Sequence, residues 1–151
     1  MNQLEIQLAG IEDVEWSARL MVGTDPWIRL GIPLEKCRKN CSDPEFNLFI
    51  ARLANKRCAM LLLDPRGVAG SPYIKSIAVD EGFRNRGIGA ELIAFAEQLY
   101  KEDHGYIFLC VSSFNTRARK LYERLGYAMI GELKDYIITG ESELLMCKRL
   151  L

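Results

Sequence analysis

One histidine, His104, is all the imidazole in this chain of 151 residues. Metal chemistry has little to draw on: Cys37 and Cys41 stand one helical turn apart, but no histidine lies near them and Cys58, Cys110 and Cys147 are scattered. No metal site is expected, and an odd number of cysteines without an export signal reads as free thiols. Neither sign of charge is in excess, Lys+Arg 20 against Asp+Glu 20. That balance argues against a broad nucleic-acid surface or a binder of acidic membranes. No apolar run approaches a membrane span, and the start MNQLEIQLAG has no basic segment followed by an apolar one, so a soluble, cytoplasmic protein is expected. Both better-known phosphate loops, GxGxxG and GxxxxGK[ST], are missing. So are linkers, internal repeats and low-complexity tracts, which leaves a single domain over residues 1–151 with 49% hydrophobic content for its core.

What is present centres on residues 77–90, IAVDEGFRNRGIGA. A short apolar strand runs into a charged turn and then into a helix that opens at Arg86-Gly87-Ile88-Gly89-Ala90. The first N–H groups of a helix have no internal acceptor and carry the positive end of its dipole. Glycines that let a ligand approach them make an anion site, and Arg84 and Arg86 add donors matched to phosphate oxygens. The alternative is an ordinary strand-to-helix turn whose glycines only permit close packing.

The remaining elements read in order. Residues 4–7 suggest a strand and 12–22 a helix; Asp25-Pro26 opens a short helical turn carrying Trp27, and a further helix spans 33–40. Residues 46–53 and 58–63 form a hairpin about Ala54-Asn55-Lys56. The breaker-rich stretch 64–72 reads as an exposed loop, and 73–79 as the strand before the phosphate turn. Ile88, Leu92, Phe95, Ala96 and Leu99 make one apolar helical stripe. A strand at 106–111, a helix at 115–125 closed by Gly126, and strands at 127–138 and 143–148 complete the chain.

The spacing Arg84-x-x-Gly87-x-Gly89 after Ile77-Ala78-Val79 resembles the acetyl-CoA pyrophosphate loop of the GCN5-related N-acetyltransferases, the GNAT superfamily. Val111, Asn115, Ala118, Leu121, Tyr122, Gly126 and Tyr127 resemble the family's second signature, V-x-x-x-N-x-x-A-x-x-L-Y-x-x-x-G-[FY]. The resemblance implies an α/β (α+β) fold with a mixed sheet, ordered β-α-α-β-β-β-α-β-α-β-β, whose central strands 73–79 and 106–111 splay apart. It implies acetyl-CoA as cosubstrate. Backbone groups of Ile77, Ala78 and Val79 would hold the pantetheine arm, the loop Arg84, Asn85, Arg86, Gly87, Ile88, Gly89 and Ala90 the pyrophosphate, and Asn115, Ala118 and Tyr122 would complete the cofactor site.

The implied reaction is direct attack of an amine on the thioester, with the Ile77 N–H facing the developing oxyanion and Tyr122 protonating the departing thiolate. The general base is the weak point of the likeness, because Cys110 and Tyr73 occupy the two places where relatives carry glutamate. Glu81, Asp135, Tyr136 and Glu141 remain as base or acceptor contacts, and Trp27, Tyr73 and Tyr136 as substrate-binding groups. Cys110 itself reads as a small buried hydrophobe. The acceptor would be a peptide or protein α-amine or a small-molecule amine. A carboxyl-terminal edge strand makes a homodimer plausible. The competing reading is a non-catalytic acyl-CoA-binding sensor, favoured by the missing carboxylates.

Overall fold

A computed structural model describes residues 3–151. Seven strands form one mixed sheet in the order β1-β2-β3-β4-β5-β7-β6. They are β1 (Glu5–Leu8), β2 (Asn47–Leu53), β3 (Lys56–Val68), β4 (Ser71–Val79), β5 (Tyr106–Ser112), β6 (Ala128–Lys134) and β7 (Ser142–Arg149). The helices are α1 (Ile11–Val22), the short α2 (Trp27–Leu30), α3 (Leu34–Ser42), α4 (Ile88–Tyr100) and α5 (Thr116–Arg124), and a 3-10 turn at Glu81–Phe83 links β4 to α4. The mixed α/β architecture expected from the sequence is the one observed.

Strand alternation sends neighbouring side chains to opposite faces, and each face has its own core. Leu61, Leu63, Ile74, Leu109, Val111 and Met146 pack with Leu92, Ala96 and Tyr122 beneath α4 and α5. Leu48, Ile50, Met60, Leu62 and Ala78 pack with Ala18, Met21, Cys37 and Cys41 beneath α1 and α3. That second core draws on β2, β3 and β4, and none of its buried residues comes from β5 or β7.

All ladders are antiparallel except β4 with β5, which run parallel and pair at only two positions, Tyr73 with Phe108 and Ile74 with Leu109. Their separation has a local cause. Across β3 and β4, Leu62 faces Ser76 and Leu63 faces Ile74, so Lys75 is one residue too many for its partner strand. An extra residue bends its strand and steepens the twist. Immediately past it β4 leaves β5, and the central strands splay.

The stretch 64–72 is not an exposed loop. β3 continues to Val68, which pairs with Ser71, and Pro72 is buried. Ala69 (φ 51°) and Gly70 (φ 80°) make a two-residue turn with both φ values positive, the geometry that suits strand twist, while an irregularity between Asp64 and Val68 absorbs Pro65 and Gly67. At the other end β6 stops at Lys134 rather than 138. Asp135 (φ 53°) accepts the Gly140 N–H through Oδ1 at 2.7 Å and closes a turn there.

Candidate active site

Beside the part of β4 that has left β5 lies a groove of about 1150 Å³, bounded by Ile77, Ala78 and Val79, the 3-10 turn, the start of α4, the exposed face of α5 and, from the α1–α2 region, Arg19, Leu20, Asp25 and Ile28. Along β4 the Asp80 N–H donates to Cys58 O of β3 at 2.8 Å. Alternation then directs the N–H and C=O of Ile77 and Val79 away from β3, toward the gap. The Val79 carbonyl indeed accepts from Arg84 Nε at 3.1 Å rather than from a strand.

At the start of α4 the first intrahelical bond is Glu91 N–H to Gly87 O, 3.1 Å, and no side chain caps the turn. The N–H groups of Ile88, Gly89 and Ala90 therefore have no acceptor within the helix. Gly87 has φ 77°, a conformation that disfavours side chains. A Cβ at Gly87 would meet nothing within 4 Å, and at Gly89 only Leu121 Cδ2 at 3.9 Å. Close packing thus does not account for either glycine. Both leave a cradle of free N–H groups open to the groove, which fits a pyrophosphate.

Most of the cofactor residues expected from sequence come together here. Ile77, Ala78, Val79, Arg84, Asn85, Gly87, Ile88, Gly89, Ala90, Asn115 and Ala118 all line the groove, as does Glu81 at its exposed end. Asn85 Oδ1 accepts from Arg117, joining the loop to α5. Asn115 also has a structural duty, capping α5 by accepting the Ala118 N–H at 3.3 Å. Arg86 turns away: its guanidinium lies over the Phe83 ring at 5.3 Å and donates to Gly82 O at 3.4 Å. Arg117 and Lys120 line the groove together with Arg124, whereas Arg119 pairs with Glu123 at 3.8 Å.

Tyr122 is 8% exposed, held between α5 and the sheet, and burial pushes its hydroxyl up to about 12. The acceptor-side residues are more dispersed. Trp27 packs against the core under α1 and α3. Two residues on, Arg29 pairs with Glu141 at 2.9 Å and stacks over Phe114 at 4.3 Å, tying α2 to both the β5–α5 and β6–β7 connections. Glu141 also accepts the Ser113 hydroxyl at 2.6 Å. Tyr136 is exposed.

Tyr73 lies in a cluster the sequence did not reveal. Burial first, then the adjacent Cys110 and the more distant charges of Glu143 and Tyr136, push its hydroxyl up. Glu143 is raised as well, by burial, although the Ser112 hydroxyl donating to its Oε2 at 2.6 Å opposes the shift. Glu143 and Ser112 are opposite one another in the β5–β7 ladder. Only that pairing, which joins strands separated by α5 and β6, would have drawn attention to them. Cys110 is pushed up by burial, and all five cysteines are free. No group of three metal-ligating side chains occurs among the described residues. Nor among them is any helix long and apolar enough to cross a membrane.

A split parallel pair thus leads along an open groove to an uncapped helix start with free N–H groups. The model of the acetyltransferase (GNAT) family matches residues 8–127, and the chain belongs to that family of acetyl-CoA-dependent acetyltransferases. It is 34% identical over 64 residues to the blasticidin-S acetyltransferase of Streptomyces morookaense, 42% of this chain and 47% of that one. To the N-alpha-acetyltransferase of Saccharolobus solfataricus it is 35% identical over 80 residues, 52% of this chain and 48% of the relative. These matches span about half the length of the curated relatives. A GNAT-family acetyltransferase from Elizabethkingia anophelis, solved with acetyl-CoA bound, superposes with a TM-score of 0.76 at 19% identity, over 97% of each chain.

Proposed function

We propose that this protein transfers an acetyl group from acetyl-CoA to a primary amine by direct attack within a ternary complex. The observation that carries the reading is the continuity of the groove: free N–H groups of α4 at one end, outward-facing backbone of Ile77 and Val79 at the other. Bound acetyl-CoA supplies the thioester. Arg84, Asn85 and Arg86 with the N–H groups from Gly87 to Ala90 hold the pyrophosphate, Arg86 after swinging from Phe83. Ile77, Ala78, Val79, Asn115 and Ala118 position the pantetheine arm. The Ile77 N–H faces the carbonyl oxygen as charge grows there, a fixed dipole of the kind that often supplies the largest catalytic contribution.

Tyr122 serves the departing sulfur. With its hydroxyl at about 12, and a thiol near 8.5, it donates a hydrogen bond more readily than it surrenders the proton. The acceptor we favour is a weakly basic amine. Deprotonation at neutral pH costs about 1.4 kcal/mol for an α-amine near 8, against about 4.6 for a lysine near 10.4. Both a peptide α-amine and a small-molecule amine satisfy this, in keeping with the diversity of the relatives' names. Tyr73, Tyr136 and the Arg29–Glu141 pair wall the acceptor side.

The test is thiol release from acetyl-CoA across peptide α-amines, peptide lysines, polyamines and amino sugars, beside Arg84→Ala. Release with one amine class, and a KM for acetyl-CoA raised about tenfold in the variant, is the expected result. Saturable acetyl-CoA binding with no release from any amine would replace the enzyme by a sensor.

A further inference from the structure

We propose that Glu143 is the base that takes the proton from the acceptor amine, working from the face of the sheet opposite Tyr122. The proposal rests on the acetyltransferase reading. In the β5–β7 ladder Ser112 faces Glu143, Val111 faces Leu144 and Cys110 faces Leu145. Val111 and Leu144 belong to the core under α4 and α5, where Tyr122 lies. Alternation puts Glu143, Ser112 and Cys110 on the other face, outside the core that α1 and α3 form with β2, β3 and β4. An amine entering over that face meets the split between β4 and β5 with Glu143 on its own side and Tyr122 beyond.

The other carboxylates nearby are engaged or distant. Glu141 gives one oxygen to Arg29 and the other to Ser113, Asp135 closes its turn on the Gly140 N–H, and Glu132 accepts the Ser142 hydroxyl at 2.6 Å. Glu81 lies on the exposed 3-10 turn at the phosphate end. Glu143 accepts a single neutral hydroxyl, and no lysine or arginine pairs with it among the described residues. The groups beside it are Tyr73 from β4, Cys110 and Ser112 from β5 and Leu133 from β6. None is a cation. Burial without a positive partner raises the carboxyl, which brings it closer to the working range of a base at neutral pH.

The step balances. As the N–C bond forms, the amine proton passes to Glu143, the C–S bond breaks, and its electron pair stays on sulfur, stabilised by Tyr122 and finally protonated from solvent. Glu143 releases its proton to water. A neutral amine and a thioester thereby become an amide and a free thiol; an acceptor that arrives as the ammonium first sheds one further proton to water.

Two experiments decide it, on the intact chain. First, kcat for thiol release at saturating amine is followed across pH for wild type, Glu143→Gln, Glu143→Asp and Ser112→Ala, with acetyl-CoA affinity measured on each. Glu143→Gln is expected to keep that affinity within twofold and lose about 100-fold in kcat together with the ascending acid limb. Glu143→Asp restores part of both. Ser112→Ala, which removes a hydrogen bond to the charged form, shifts the limb to higher pH. Second, the Glu143 carboxyl carbon is titrated by NMR in the ligand-free protein, assigned by its absence from Glu143→Gln; it should titrate above the ordinary glutamate range and move with Ser112→Ala. Retention of wild-type kcat and limb in Glu143→Gln overturns the proposal. A wild type that binds acetyl-CoA but acetylates no amine overturns the acetyltransferase reading instead.

Discussion

Tyr122 and Glu143 show what burial does to two acids of different sign of usefulness. Both are pushed up by loss of solvent. For the carboxylate this improves a base; for the tyrosine it makes proton loss harder, since a hydroxyl at about 12 sits some 3.5 units above a thiol near 8.5. Tyr122→Phe is therefore expected to remove one hydrogen bond to a developing anion, worth about 1.5 to 3 kcal/mol, and to lower kcat about 10- to 100-fold. Steady-state rates at saturating acetyl-CoA, with KM nearly unchanged, would show it; a loss of several thousandfold would instead mean full proton transfer. The inward position of Tyr122 was legible in the sequence because a helical signature surrounds it. Glu143 was not: its partners Ser112 and Tyr73 come from other strands, and no spacing along the chain encodes that meeting.

Among elements, the legible ones were those whose signal is local. The apolar stripe of α4 and the glycines at its start are read from a few consecutive turns; Ile88, Leu92 and Ala96 are buried as expected, whereas Leu99 is exposed and Ile93 and Tyr100 turn inward. β3 was cut short because Pro65, Gly67 and Gly70 have the composition of a loop, whereas the β4 partner pulls them into a ladder. The Lys75 bulge that splits the sheet carries no sequence mark, since an extra residue exists only relative to a neighbouring strand. α1 adds a further non-local device. Asp13 accepts the Gly10 N–H at 2.8 Å at the helix start, and its Oδ1 lies 2.9 Å from Arg52 and 2.7 Å from Arg57 on the hairpin. Burial pushes its carboxyl up, but those three donors outweigh it and hold the group below 3.8. Asp13→Asn keeps the shape and removes the charge. Breaking a buried pair costs up to 5 kcal/mol, and with both arginines partly solvated we expect about 2 to 3, a fall in Tm of about 5 to 10 °C at pH 7. A depressed carboxyl stabilises above its unfolded value and loses that contribution as pH falls through the folded one. The difference from wild type should shrink in thermal melts below pH 4.

For the whole molecule, the split sheet means that its two halves, β1 to β4 and β5 to β7, are joined by a short parallel ladder, by the helices α4 and α5 laid across them and by the contacts of Arg29 on α2 with Glu141 and Phe114. A ligand seated in the groove touches β4, α4 and α5 together, so its binding energy opposes separation of the halves as well as local opening. Ligand at 100 times its Kd stabilises a folded chain by about 2.7 kcal/mol. For a chain of this length that corresponds to a rise in Tm of about 5 to 10 °C with saturating CoA. Gly89→Val supplies the control. Its Cβ meets only Leu121 at 3.9 Å, and valine is the better helix residue, so the variant should melt no lower than wild type without ligand. Its methyl groups occupy the cradle, so CoA should no longer raise its Tm. An equal rise in both proteins would mean that the ligand binds elsewhere, and that the free N–H groups of α4 do not hold its phosphates.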